Sequence, residues 1–415
     1  MKYVIIGNGI AGIQAAEAIR QLDPKGVLTM IGDETYPPYC RPMISRVLEG
    51  ASTPADLPIR SDRFYDDLNI TPVLGQRAAG IDVENRRVLM NPDGKTLLNS
   101  IPFDKLLIAS GADPRPIKAD GLHLKNIFFM RTQRDVLEML EALEGVKHAL
   151  VLGGGLVGFK AAYGLLHRGV KVRMLIKSGY PLSMQADEAA GQMILEGLTQ
   201  KGLDVRVGIE AVAFEGKGRV DTAHLSDGSI LPCDMVIIGK GVLPALDFIP
   251  RDRISVDLGI RVDEHLETSI PGIYAAGDAA EFIDIARQAR WVNALWPEAV
   301  NQGRIAGFNM AGRPVGYPGS LSRNVIRIFD MDVMTGGLVN PTPNDSGFEV
   351  ISYRDTRRNT YRKLVFRENR LAGMVMVNDI EQGGLLLSAM YSRKPLNIPH
   401  ESLMAPGLNC KQLMA

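Results

Sequence analysis

Apolar and polar positions alternate along the chain in a way that repeats. Residues 3–6, Tyr3-Val4-Ile5-Ile6, form a short apolar run that breaks at Gly7 and gives way to an Ala-rich stretch of helical period, Ile13 to Arg20. That order predicts strand, tight turn and helix. A second apolar run, 27–31, returns within about ten residues and ends at Gly32-Asp33-Glu34. The βαβ unit so formed carries the turn Gly7-Asn8-Gly9-Ile10-Ala11-Gly12, a G-x-G-x-x-G. About 145 residues later the pattern recurs, with an apolar run at 149–152, the turn Gly153-Gly154-Gly155-Leu156-Val157-Gly158, a helix over 159–167 and a strand over 171–176.

Other apolar runs punctuate the rest. Residues 105–109 lead into Ser110-Gly111-Ala112-Asp113-Pro114, and 235–238 into Gly239-Lys240-Gly241-Val242-Leu243-Pro244. Both read as hinge strands, at which the chain leaves one domain and later returns. Ile273-Tyr274-Ala275 ends at Gly277-Asp278, and 297–310 has helical character, with Pro297 suited to a first turn. From about Leu321 short alternating strands take over, as at 363–366 and 373–377. The expected fold class is α/β, with two Rossmann-like (doubly wound, three-layer) dinucleotide-binding domains and a C-terminal α+β domain. The boundaries fall at 1–113 with 244–320, at 114–243 and at 321–415.

Composition narrows the function classes. The chain has 415 residues, 46% hydrophobic and 23% charged, so it has material for a sizeable core. Forty-seven basic residues balance 47 acidic ones, which argues against nucleic acid as the main partner. Three cysteines do not make a disulfide scaffold, and their scarcity points to the reducing cytoplasm. The first apolar run is too short for a signal peptide, and no apolar stretch of about 18 residues suggests a membrane span. Cys and His do not cluster at metal-ligand spacing, so neither zinc nor an iron–sulfur cluster is expected in the chain.

Each glycine of the first turn has its own reason. Gly7 permits the tight turn, Gly9 lets the backbone approach a pyrophosphate, and Gly12 lets helix and strand pack closely. The N–H groups around Ile10 and Ala11 and the positive end of the helix dipole suit a phosphate. Asp33, with Glu34 as the alternate, sits where a carboxylate takes ribose hydroxyls. The second turn offers Gly153, Gly155, Leu156, Val157 and Gly158 but no strand-end acid, since Ile176 stands there and Lys177 follows. Lys177 and Arg173 could accommodate a 2′-phosphate, which leaves NAD and NADP both open; equally, Lys177 reads as a solvated surface lysine.

Taken together, the two turns, the hinge Ala109-Ser110-Gly111-Ala112, the segment ending in Gly277-Asp278 and the C-terminal domain resemble the FAD-dependent pyridine nucleotide oxidoreductases. Pro38-Tyr39-Cys40-Arg41-Pro42-Met43-Ile44-Ser45 is similar to the rubredoxin and ferredoxin reductase branch and to the flavin portion of NADH nitrite reductases. The likeness is good over 1–320 and poor over the last 95 residues. It implies FAD on the first unit, NAD(P)H on the second and a C-terminal interface domain. It also implies Asp278 on the ribityl hydroxyls, Arg41 on the flavin cofactor, and a helix from Pro297 aimed at the flavin pyrimidine. Trp296 would then lie at the flavin edge where electrons leave, unless it is a core aromatic. Relatives carry a glutamate and a lysine where this chain has Lys160 and Arg46; two cations there would suit an anionic reduced flavin, or else Lys160 turns to solvent or pairs with another acid.

The implied activity is hydride exchange with NAD(P)H and single-electron exchange with an iron–sulfur protein, free or as a fixed subunit of a homo- or hetero-oligomer. Two alternatives stay open, a Cys40-dependent coenzyme A-disulfide reductase or NADH oxidase, and a non-catalytic nucleotide-binding subunit. Cys233 reads as structural and Cys410 as incidental. The basic run from Arg354 to Arg370 reads either as a steering patch for an acidic carrier or as a solvated hairpin.

Overall fold

The computed structural model describes residues 1–91, 99–342 and 347–404; Cys410 lies outside them. The first βαβ unit forms as its hydrophobic pattern requires. Strand Lys2–Ile6 pairs in parallel with Val27–Gly32 on one side and Lys105–Ile108 on the other, and helix Ile10–Leu22 crosses between the first two. Val27–Gly32 pairs onward with Ile70–Leu74, and Ile273–Ala275 closes the other edge of this five-stranded sheet. All of these strands except edge strand Ile70–Leu74 are buried on both faces, as parallel strands covered by helices must be.

The second unit repeats the plan. Strand His148–Leu152 lies between Lys171–Ile176 and Met235–Ile238, flanked by Asp204–Val207 and Ile127–Phe129, all parallel. Its glycine-turn helix runs Leu156–His167, one turn earlier than the sequence pattern suggests, because the glycine turn itself opens the helix. The expected hinges meet: Ala112–Pro114 pairs antiparallel with Val242–Pro244, so the outgoing and returning chains lie side by side.

The C-terminal sheet is five-stranded and antiparallel, with Thr360–Arg367 and Arg370–Val377 inside it and Arg323–Ile328 and Phe348–Asp355 at its edges. The inner strands do not alternate. They are almost continuously buried, because one face packs on helix Glu188–Gln200 through Met331, Val333 and Val375, and the other on helix Gly383–Ser392. This also decides the basic run. Arg362 and Lys363 have side chains only 3% and 10% exposed, bound to Asp379 at 2.7 Å and Asp187 at 3.3 Å. Arg354 pairs with Glu196 at 3.3 Å and Arg370 with Glu368 at 3.2 Å, so the run is largely neutralised within the fold rather than displayed as a cationic patch. Among the described residues, no helix is long and apolar enough to cross a membrane.

Candidate functional site

The first glycine turn is built for close approach. Gly7 has φ of +120°, where side chains are strained, and a Cβ there would lie 2.6 Å from the carbonyl carbon of Ala109. Ala109 is buried and donates its N–H to Ile6 O at 2.7 Å, which locks the hinge strand beside the turn. Gly9 caps helix Ile10–Leu22 with backbone only, and among the described residues no side chain binds its first N–H groups, those of Ile10, Ala11 and Gly12. Space above Gly9 is open. A cleft of about 400 Å³ adjoins the turn, lined by Gly7, Asp33, Arg77, Ser110, Asp113 and Phe248.

The two strand-end acids divide their duties. Glu34 is occupied, accepting from the Arg41 guanidinium and from Tyr39 Oη at 2.8 Å. Asp33 is exposed, lines the cleft and makes no described side-chain hydrogen bond, so it is the carboxylate available to a ribose. Burial raises the Tyr39 hydroxyl far above its ordinary pKa, with Arg41 opposing and Glu34 reinforcing. Tyr39 therefore stays a donor to Glu34.

Arg131 is the residue that motif reading missed. Its Nη2 contacts Asp278 Oδ2 at 2.9 Å, its Nε donates to Ala112 O at 2.9 Å, and its carbonyl accepts from Arg41 Nη1 at 2.9 Å. Gly111, with φ of +73°, turns the hinge beside it, where a Cβ would lie 3.6 Å from Arg131 Nη2. No sequence motif marked Arg131; only the return of the chain past Asp278 reveals it. The usable signal was the Thr132-x-x-Asp135 capping box that starts the next helix and fixes the Arg131 N–H on Asp135 at 2.9 Å.

Helix Trp296–Met310 begins as Pro297 suggested, with no side-chain cap at Leu295. It lies against the first glycine-turn helix through Gly303 and Gly307, whose missing side chains let the backbones touch. A Cβ on Gly277 would meet Ala11 Cβ at 3.3 Å and Ala299 Cβ at 3.5 Å, so the starts of both helices converge on Gly277-Asp278. Gln302 Oε1 accepts the Gly277 N–H at 2.7 Å. Trp296 is half-buried and Pro297 exposed, so Trp296 is not a core aromatic. Below them a buried network joins the C-terminal domain to this helix. Glu298 is held by Arg323 and Tyr317, with Tyr391 Oη at 3.4 Å, and Tyr317 receives Gln302 Nε2 at 3.2 Å.

The second turn copies the first. Gly153 has φ of +118° and abuts Gly239, Gly155 caps the helix with backbone alone, and the N–H groups of Leu156, Val157 and Gly158 have no side-chain cap. Lys177 is a solvated surface lysine, its side chain 75% exposed, that also binds Glu210 at 2.9 Å, while Arg173 is paired with Asp204. Lys160 lines a recess of about 460 Å³ opposite Ser45 and Glu49, walled on the far side by Ile326 and Phe329. The expected facing of Lys160 and Arg46 is not found there. Ser45 and Glu49 share one face of helix Ile44–Glu49, and Arg46, about 100° further round, is exposed. Lys160 keeps a solvent-exposed side, and the loss of hydration where it enters the recess lowers its pKa, partly offset by Cys40. Burial raises the Cys40 thiol, against weaker opposing pulls from Met43 and Lys160.

The fold and the two cradles define a protein that holds two dinucleotides. The chain belongs to the pyridine nucleotide-disulphide oxidoreductase family, which matches residues 1–303, and residues 323–394 match the rubredoxin NAD+ reductase C-terminal domain. The chain is 28% identical over 407 residues to the assimilatory nitrate reductase electron transfer subunit of Bacillus subtilis, covering 98% of this chain and 51% of that protein. Against the NADH-rubredoxin oxidoreductase of Clostridium acetobutylicum it is 28% identical, covering 95% of each. The chain thus spans about half the length of the first curated relatives it matches. The solved NADH:rubredoxin oxidoreductase of C. acetobutylicum superposes with a TM-score of 0.80 at 27% identity, covering 97% of this chain and 98% of that one. A covalent putidaredoxin reductase–putidaredoxin complex shares the fold, with a TM-score of 0.88 at 23% identity over 100% of this chain and 98% of that one. FAD and NAD(P)H are the cofactors of these oxidoreductases, and the residues here fit them: two glycine cradles that a Cβ would fill, helix starts left uncapped, and arginines with one available carboxylate beside the first.

Proposed function

We propose that the chain is an FAD-dependent NAD(P)H oxidoreductase that exchanges hydride with the nicotinamide and single electrons with an iron–sulfur or rubredoxin-type protein, either free or as a fixed subunit of a homo- or hetero-oligomer. The observation that carries the reading is the convergence of two uncapped helix starts, those of Ile10–Leu22 and Trp296–Met310, on Gly277-Asp278, in a chain with a second cradle of the same build. The domain division at 1–113 with 244–320, 114–243 and 321–415 goes with it, as does a cytoplasmic setting.

When bound, FAD supplies hydride acceptance and release of electrons one at a time. This chain's residues do the rest. The N–H groups of Ile10, Ala11 and Gly12 bind the FAD pyrophosphate, and Asp33 accepts from the ribose. Arg131 holds Asp278 toward the ribityl hydroxyls and is itself steadied by Arg41 through its carbonyl. The N-terminal turn of the Trp296 helix would offer positive partial charge to the flavin, and Trp296, half-buried at that helix start, would lie toward the edge where electrons leave. Leu156, Val157 and Gly158 bind the nicotinamide dinucleotide's pyrophosphate. A Cys40 thiol kept protonated by burial is the reverse of what a redox nucleophile needs.

Anaerobic stopped-flow mixing of the FAD-loaded protein with NADH and NADPH, followed near about 450 nm, tests the first half. Rapid bleaching with at least one nucleotide supports it; a bound flavin that neither nucleotide bleaches refutes it and favours a non-catalytic subunit. Reoxidation on adding a rubredoxin or a ferredoxin tests the second half.

A further inference from the structure

The second cradle lacks a carboxylate at its strand end in sequence, yet the fold supplies one. Lys177 directly follows strand Lys171–Ile176, and Lys240 follows strand Met235–Ile238 with Gly239 between. The parallel pairing of both strands with His148–Leu152 sets these lysines on either side of the glycine turn. Ile176 packs on Gly154, 2.6 Å from where its Cβ would be, and a Cβ on Gly239 would lie 2.9 Å from the Gly158 nitrogen. Glu210 arrives from the loop after Asp204–Val207 and bridges the pair, with Oε2 at 2.9 Å from Lys177 Nζ and Oε1 at 2.6 Å from Lys240 Nζ. Its own N–H is fixed on Ser226 Oγ at 3.1 Å. The Lys240 contact first, then Lys177, holds the Glu210 carboxyl below its usual pKa, so it is ionised at neutral pH.

We propose that Glu210 is the specificity-determining residue of the second cradle, selecting NAD(H) over NADP(H) by occupying the two lysines that a 2′-phosphate would need. This rests on the reading of that cradle as the nicotinamide dinucleotide site. The chemistry is a competition for the same donors. A 2′-phosphate brings negative charge against a carboxylate already seated between the Lys177 and Lys240 ammonium groups, and like charges so placed are costly. A 2′-hydroxyl instead donates to the lone pairs that Glu210 keeps free, since each carboxylate oxygen accepts more than one hydrogen bond. Glu210 thus does from a distant loop what a strand-end acid does in the ordinary arrangement.

The test uses the FAD-loaded full chain, titrated calorimetrically with 5′-ADP and with 2′,5′-ADP, alongside bleaching rates with NADH and NADPH. Glu210→Gln keeps shape and removes the charge, and it is expected to raise affinity for 2′,5′-ADP relative to 5′-ADP on the order of tenfold or more, with the NADPH/NADH rate ratio rising in parallel. Adding Lys177→Met to that variant cancels the gain. An unchanged 2′,5′-ADP to 5′-ADP ratio in Glu210→Gln overturns the proposal while leaving the cradle's reading intact. Failure of the wild-type holoprotein to bind either nucleotide overturns that reading, and the proposal with it.

Discussion

Gly303→Ala tests how tightly the geometry of the flavin cradle depends on one helix contact. Gly303 sits where helix Trp296–Met310 crosses helix Ile10–Leu22, and a Cβ built on it would lie 2.7 Å from Ala11 Cα and closer still to the Ala11 carbonyl oxygen. Ordinary carbon contact begins at about 3.4 Å, so the helices must separate by at least roughly 0.7 Å. Both obstructing atoms are backbone, so no rotamer change relieves them. Gly307, a turn further on, lies in the same close crossing, where a Cβ built on it would fall 2.8 Å from Ala15 Cα. Overpacking of this kind costs on the order of 1–3 kcal/mol. The displaced element carries Ala299 and Gln302, which hold Gly277, so the loss is expected chiefly as FAD affinity, falling about 5- to 100-fold if most of the strain is relieved when the cofactor leaves. Flavin fluorescence recovered on dilution of the holoprotein measures it. Gly316→Ala, the same substitution with nothing within 4 Å, is the control and is expected to change nothing. A Gly303→Ala protein that binds FAD as tightly as wild type and melts at the same temperature refutes the reasoning.

Three further outcomes are expected. Arg323→Met leaves Glu298, its side chain 3% exposed, as an unpaired buried charge and should cost about 3–5 kcal/mol; thermal melts should show Glu298→Gln in that background recovering much of it, and equal loss in both variants would contradict the charge argument. Burial raises the Cys233 thiol to about 12, so ionisation favours the unfolded chain once pH exceeds the ordinary value of 9.0, and this contribution to stability is lost as pH climbs from 9.0 toward about 12; Cys233→Ser should flatten denaturant midpoints across that window and leave them unchanged in slope below it. Cys40→Ser should bleach with NADH at the wild-type rate, and abolished turnover would restore the thiol-enzyme reading.

Much was legible in advance because it is local. A glycine turn between an apolar strand and a helix of 3.6 period is set by residues within a few positions of each other, so both βαβ units, the hinge strands and the helix start near Pro297 could be read directly. The motif glycines carried their own explanation, since φ of +120° at Gly7 and +118° at Gly153 is a conformation that other residues resist.

What the chain's order could not disclose is what depends on neighbours far along it. Arg362 and Lys363 look like a displayed cationic run, but burial on both faces of the C-terminal sheet makes them internal ion-pair partners. Arg131 becomes a site residue only because the returning chain brings Asp278 to 2.9 Å from it. Lys160 shares its recess with Ser45 and Glu49 rather than Arg46 because helix rotation selects which side chains line it. Glu210 replaces the missing strand-end acid from a separate loop. Local propensity and periodicity therefore determined the two dinucleotide cradles, while long-range packing, which alone sets burial and charge pairing, decided what surrounds them.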